Sequence, residues 1–435
     1  MRHAFVDTKP LVGQKKHPMD RMLFLMTLVL MGVGVVTVFD ASYALALEHR
    51  HGNPYYFVVL QATWAFLGLI AMFGARIIPY KLWKQIALHG IAVTAVLLVC
   101  VFIPHVGIWA GGARRWVGHG IFRVQPSEIA KVTLVMYLAR YAAANPSRLR
   151  RFKEGLLPPL LFLTVIVVLI AKEPDLGTAM VVGGSGLTLL FLAGARRKHI
   201  LSIIGVSIVL IIIYTVAQPY RQNRIKAWLH PAAGKLGNSY QVFHSEVAIG
   251  TGGPMGVGLG EGKEKLYIPM ARTDFIFPVI AEEWGLIGTL GLIAAFFIVC
   301  IRGFTIAYQT KDPFGSFLAA GITTVITLQA LVNVGVATGT IPDTGVPLPF
   351  ISYGGSSMIF SMIGIGILLN ISCNPGEALR PEIGPKTPMA RSERDFGRRP
   401  SAKSRRRDLG YHGRSDKRQS DIANTFTPDW TSRDE

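Results

Sequence analysis

The sequence predicts an all-α, polytopic membrane protein of about ten transmembrane helices, with one large extracytoplasmic loop between spans seven and eight. Three observations predict it. Apolar runs such as LLPPLLFLTVIVVLIA and IIGVSIVLIIIYTVA approach or reach the roughly 20 residues that a helix needs to cross a bilayer. The chain is 50% hydrophobic with mean hydropathy +0.39, more than a soluble protein of 435 residues would carry in so few interruptions. Basic residues also gather in alternate loops, as they do on the cytoplasmic side of a membrane protein.

Residues 1–20 form a basic N-terminal segment. The run that follows is of span length and ends at no small-residue cleavage site, so it reads as a first span and not as a signal peptide. The ten expected spans lie at about 22–43, 55–75, 84–104, 127–145, 155–172, 176–195, 198–217, 275–301, 314–338 and 350–372, within a membrane domain of residues 21–373. Span four, SEIAKVTLVMYLARYAAA, is the weakest because it contains Glu128, Lys131 and Arg140. Charge bias keeps it: with ten spans ARIIPYKLWK, RYAAANPSRLRRFKEG, ARRKH and the tail all face the cytoplasm, as do both termini, and removing span four would divide that set. Three segments then face outward: PHVGIWAGGARRWVGHGIFRVQP, the 218–274 loop, and TGTIPDTGVPLPF. Residues 374–435, rich in Arg, Ser, Pro and Asp, read as a disordered basic cytoplasmic tail. No repeat recurs at a fixed period of 20–50 residues.

The formal net charge is +19. Most of it lies in the ends and short loops, where it sets orientation and meets anionic membrane lipids, which argues against a nucleic-acid partner. The three cysteines have neither metal-ligand spacing nor a disulfide framework and read as packing residues.

The stretch TDFIFPVIAEEWG places Asp274, Glu282 and Glu283 at the head of an apolar run and within it. An acid at a helix centre costs about 2.5–3.5 kcal/mol on insertion scales, so such residues serve a structure or a function. Asp274, where the long loop meets span eight, suits a partly desolvated base, and it suits a helix N-cap at least as well. Glu282 and Glu283 lie deeper, where the ordinary role is ion pairing with a buried cation. Arg114, Arg115, Arg123 and Lys131 gather around one outward segment, with Arg123 and Lys131 eight positions apart and able to share a helical face. Cations there suit a phosphate or diphosphate. Pairing with Glu128, Glu282 or Glu283, or snorkelling to headgroups, is the more ordinary role for such charges. Trp116 fits an interfacial anchor or a sugar-stacking platform. GTGGPMGVGLGEG matches neither Walker nor Rossmann spacing and reads as a flexible re-entrant or surface loop. ISYGGSS reads as close helix packing, and EPDLGT as a tight turn.

Taken together, ARRWVGHGIFRVQPSEIAK, EPDLGT, GTGGPMGVGLGEGKEKLYIPMARTDFIFPVIAEEWGLIG and TGVPLPFISYGGSS resemble, in order, the SEDS family of bacterial cell-wall polymerases (shape, elongation, division and sporulation). IPDTGVPLPFISYGGSS and RRFKEG are more similar to its division member than to its elongation member. The resemblance implies a ten-helix membrane glycosyltransferase at the outer face of the bacterial cytoplasmic membrane, acting at the division septum. It implies as substrate lipid II, the undecaprenyl-pyrophosphate-linked disaccharide peptide. It implies a class B penicillin-binding protein transpeptidase and other division proteins as partners, and a divalent cation (Mg or Mn) as the one candidate cofactor. The family's essential acid in TDFIF falls on Asp274, and its functional Trp, Arg and Lys fall on Trp116, Arg123 and Lys131. The implied roles are a catalytic base for Asp274 and substrate binding for the other three, while their position in the apolar runs reads Glu128, Glu282 and Glu283 as structural ion pairs. The sequence departs from the family at Met270 and Arg272, where members often carry an acid and a His, and at Thr344, where some division members carry Lys. A lipid II flippase and a non-catalytic division scaffold stand as rival readings.

Overall fold

The computed structural model describes residues 17–49, 53–110, 113–119, 122–216, 222, 225, 228–229 and 240–374. The chain divides into two units, residues 1–379 and 380–435, and the described residues all fall in the first. The expected tail beyond Asn374 and most of 218–239 lie outside the described residues.

Each of the ten expected spans coincides with a helix. They are α1 (Arg21–His49), α2 (Tyr56–Ile77), α3 (Tyr80–Cys100), α4 (Pro126–Ala144), α5 (Leu157–Lys172), α6 (Leu176–Leu192), α7 (Arg197–Val216), α9 (Ile276–Gln309), α10 (Pro313–Ala337) and α11 (Gly355–Cys373), with the short α8 (Tyr240–Thr251) inside the long loop. Eight helices among the described residues are long and apolar enough to cross a membrane. The chain is a multi-pass membrane protein. The two that fall short are α4, which carries Glu128, Lys131 and Arg140, and α6, an apolar helix of 17 residues.

Local chemistry sets where the helices start. Asp20 accepts from the Leu23 N–H at 2.9 Å, Asp175 from Thr178 N–H at 3.1 Å and Asp312 from Gly315 N–H at 3.0 Å, satisfying first-turn donors of α1, α6 and α10. Pro126 and Pro313 open α4 and α10, where a missing N–H costs nothing. Asn370 of α11 holds the α2–α3 turn, donating to Arg76 O at 2.6 Å and accepting from Tyr80 N at 2.9 Å. Of the eight apolar helices α10 and α11 are the most enclosed, whereas α7 buries only Ile200 and turns its aliphatic side chains outward to lipid.

Two features depart from a plain bundle. Between α3 and α4 lies a three-stranded antiparallel sheet, β1 (Gly107–Ala110), β2 (Ala113–His119) and β3 (Phe122–Val124). Strands this short fall below the window in which apolar runs are read. The second is a break in α9 at Gly285 (φ 63°, ψ −165°), a region open essentially to glycine alone. The 250–262 segment fills the break and is therefore a fixed structural piece, not a flexible loop. Val257 and Gly258 donate to the Glu282 and Glu283 carbonyls at 3.0 and 3.1 Å, and Leu286 N–H reaches Gly253 O at 2.8 Å. A side chain on Gly285 would stand 2.2 Å from Gly256 N. Backbone that leaves the helix at membrane depth is tolerated here because the loop satisfies it.

Candidate active site

Four elements meet at the end of the bundle where the sheet lies. In β2 the pairing with β1 slips at Arg115, Arg114 standing opposite Trp109 and Trp116 opposite Ile108, so the alternation of side chains is interrupted there and resumes from Trp116 to Gly118. The β2–β3 register sets Arg123 opposite Gly118, and opposed residues share a face. Trp116 and Arg123 thus lie together on one side of the sheet. Arg114 and Arg123 are exposed and Trp116 is half-buried. Arg115, the residue left unpaired by that slip, ties the sheet to the turn between α5 and α6, donating to Glu173 O at 3.0 Å and to Pro174 O.

That turn holds two buried acids. Asp175 caps α6 and also accepts from Gln125 Nε2 at 3.0 Å, fastening the junction of β3 and α4. Glu173 is 1% exposed, with neither carboxylate oxygen hydrogen-bonded. Its pKa is pushed up to about 8, chiefly by burial and further by the neighbouring Asp175, with Arg115 pulling the other way. The start of α6 in turn abuts the 342–348 loop: a Cβ on Gly177 would meet Val346 and Thr344 below 3 Å.

Asp274 sits across that loop. A Cβ built on Gly345 (φ +70°) would lie 3.4 Å from its Oδ2, so the loop packs directly against the carboxylate. Asp274 does not cap α9: the N-cap position is Phe275, and no side chain caps it. The residues around Asp274 are held tightly. Tyr353 N–H donates to Arg272 O at 2.9 Å, Ser352 Oγ to Thr273 O at 2.6 Å and Asn333 Nδ2 to Asp274 O at 2.8 Å. Arg272, where relatives of the resembled family carry His, lies with its guanidinium carbon 4.4 Å from the Phe57 ring centroid, a cation–π contact.

Lys131 does not share a helical face with Arg123, because Arg123 belongs to β3 and α4 begins only at Pro126. Lys131 is 5% exposed and lies within the bundle, 2.7 Å from Glu128 Oε2 and 2.6 Å from Gln329 Oε1. Gln329 passes the connection on, donating to Pro347 O at 2.9 Å, while Asn333 one turn later donates to Val346 O at 2.7 Å. Two of the acids assigned to ion pairs therefore find cations, Glu128 in Lys131 and Glu283 in Lys265 at 2.7 Å. Glu282 instead accepts from the backbone N–H groups of Lys263 and Glu264 at 2.8 and 3.2 Å, latching the long loop to α9.

Sequence reasoning missed Asp40, Lys265, Gln329, Asn333 and Ser352. Asp40 is an acid inside span one and bonds Lys265 at 2.6 Å, and the cost argument applied to Glu283 would have found it. Gln329 and Asn333 stand four residues apart in an otherwise apolar helix, so they share a face, and that spacing was a readable signal. Ser352 carried none beyond its motif.

The chain matches the family profile described as "Cell cycle protein" (FtsW/RodA/SpoVE) over residues 20–376. It belongs to this family. It is 40% identical over 354 residues to the probable peptidoglycan glycosyltransferase FtsW of Geobacter metallireducens, covering 81% of this chain and 94% of that one. It is 37% identical over 361 residues to stage V sporulation protein E of Bacillus subtilis, covering 82% and 98%. Among solved structures, it resembles a chain of a peptidoglycan synthase complex that coordinates polymerization and crosslinking, with TM-score 0.69, 27% identity and coverage of 81% and 97%. It also resembles the rod shape determining protein RodA of Thermus thermophilus, with TM-score 0.61, 26% identity and coverage of 81% and 96%.

Proposed function

We propose that this chain is a peptidoglycan glycosyltransferase that polymerises lipid II into glycan strands at the outer face of the bacterial cytoplasmic membrane, for septal wall synthesis in division. Membership of the FtsW/RodA/SpoVE family and the names of its relatives support the activity. The observation that carries the mechanism is the placement of Asp274. Its carboxylate stands at the head of a transmembrane helix without capping it, half-buried against the 342–348 loop. A carboxylate at that place, half-buried and on over-determined backbone, has the makings of a working base.

In the proposed step the acceptor's sugar 4-hydroxyl gives its proton to the Asp274 carboxylate. The oxygen attacks the donor's anomeric carbon, and the bond from that carbon to the undecaprenyl diphosphate breaks, the electron pair leaving with the diphosphate. In-line attack on an α-linked donor inverts it to a β linkage. Arg123 receives the departing charge in a bidentate fork, and Trp116 beside it on the same sheet face stacks on a sugar. Lys131 supports the site from beneath through Gln329. Among the described residues no three His, Cys, Asp or Glu side chains gather as a metal site, and no step here runs through a Mg or Mn ion. A class B penicillin-binding protein supplies the crosslinking partner, in line with the synthase complex that this chain resembles.

The test is lipid II polymerisation by the purified chain with its transpeptidase partner. Wild type should make glycan, and Asp274→Asn, nearly isosteric but unable to accept the proton, should lose about 10²–10⁴ in rate while still folding and binding the partner. Glycan synthesis by Asp274→Asn at the wild-type rate would remove the base. Translocation of lipid II by an active wild-type complex that forms no polymer would make the protein a transporter.

A further inference from the structure

Three consecutive carbonyls around the candidate base are each taken by a donor from elsewhere in the bundle: Arg272 O by Tyr353 N–H, Thr273 O by Ser352 Oγ and Asp274 O by Asn333 Nδ2. The peptides on both sides of Asp274 are thereby fixed. Ser352 is 5% exposed and Asn333 1% exposed, so neither can touch substrate. Both donors also grip the loop on the other side of the carboxylate. Ser352 Oγ accepts from Leu348 N–H at 2.7 Å, and Asn333 Nδ2 donates to Val346 O at 2.7 Å. The orientation of the Asn333 amide follows from its surroundings, since two carbonyls can be met only by its donor end. Each side chain therefore spans the same gap, from the 273–274 backbone to the 346–348 backbone, and the Asp274 side chain stands in that gap beside Gly345.

We infer that Ser352 and Asn333 are positioning residues for the polymerase reaction, clamping the peptides that flank Asp274 to the 342–348 loop and so aiming its carboxylate at the acceptor hydroxyl. The inference rests on Asp274 as the base and adds what holds it. A general base works only from a near-attack geometry, and a misplacement of about 1 Å can cost roughly 10²-fold in rate. The clamp also gives the ISYGG segment a role beyond close packing.

The experiment measures kcat and KM for lipid II with the full-length chain and its partner. Ser352→Ala removes the hydroxyl with almost no change of volume. Its kcat should fall roughly 10-fold to 100-fold with KM within about 2-fold of wild type. Ser352→Thr, which keeps the hydroxyl, should recover most of the rate. Asn333→Leu should show the same split, and Asn333→Gln, which keeps the amide donor, should be the milder variant. Asp274→Asn runs alongside as the control. If it is inactive while folded Ser352→Ala and Asn333→Leu turn over like wild type, the clamp is refuted and the base stands. If Asp274→Asn is itself active, the base reading fails first. A fall in kcat that Ser352→Thr does not relieve, or a loss confined to KM, also overturns the proposal. Should Asn333→Leu fail to fold, Ser352→Ala decides alone.

Discussion

Arg123 is exposed on the sheet face that also carries Trp116, and its own carbonyl accepts from Ser356 Oγ at 3.2 Å, which fixes the strand beneath it. Lysine at this position would keep the charge and lose the planar fork. Polymerisation should therefore fall for Arg123→Lys and fall further for Arg123→Ala, read as initial rates of glycan formation on lipid II. A folded Arg123→Ala protein with normal rates would end its role at the diphosphate. Glu173 makes a different prediction, because its cost is one of stability. It is shifted from 4.5 to about 8 in the folded chain by burial, so between those values the folded state holds a proton that the unfolded state has lost. Stability should accordingly fall as pH rises through that window. Glu173→Gln, neutral throughout, should flatten the fall, as measured by melting temperature in detergent from pH 5 to pH 9. An unchanged slope would show that Glu173 is ionised and satisfied in the folded protein.

Helix α9 is where an element does more than span. Its break at Gly285 frees the Glu282 and Glu283 carbonyls, the 250–262 segment takes them, and the two glutamate side chains hold the same loop by other means. Lys265 lies between Asp40 of α1 and Glu283 of α9 at 2.6 and 2.7 Å, and the loss of one member of such a buried set costs about 3–5 kcal/mol. Lys265→Met should thus destabilise strongly, because it leaves two carboxylates facing each other. The triple change with Asp40→Asn and Glu283→Gln should regain much of the loss in a thermal unfolding series; no recovery would mean that Lys265 acts through packing alone. The existence of the helices was legible from length and hydropathy, and Asp274 from its motif. The break was not, because Gly285 in EEWGLIG looks like any glycine in a helix and its φ is imposed by a loop some 30 residues earlier in the chain. Nor was the position of Lys131. A lysine eight residues after an arginine reads as one basic patch until a strand, and not a helix, is found to carry the arginine.

The path of the whole chain follows from contacts between distant segments. The two ends of the described bundle meet: His17 N–H bonds Cys373 O at 3.1 Å and Asp20 N–H bonds Ser372 Oγ at 3.3 Å, so the number of crossings between them is even. Arg115 joins the sheet before α4 to the turn after α5, which makes α4 and α5 a pair that leaves one side and returns to it. Tyr214 near the end of α7 reaches Ala171 O near the end of α5 at 3.0 Å, so α6 and α7 form a second returning pair. Asn333, bound to both Asp274 O and Val346 O, brings the starting end of α9 and the loop after α10 to that same side. These contacts argue for ten crossings, with the weakly apolar α4 and the short α6 included, and against a path made of the eight apolar helices alone. By the positive-inside rule, the charge in ARIIPYKLWK, RYAAANPSRLRRFKEG and ARRKH predicts that the opposite side, with both ends of the bundle, faces the cytoplasm. Topology reporters fused after Ser239 and after Arg407 should therefore report opposite sides of the membrane, the first outside and the second in the cytoplasm. Reporters on the same side would require one helix fewer or one more between them and would overturn the ten-crossing path.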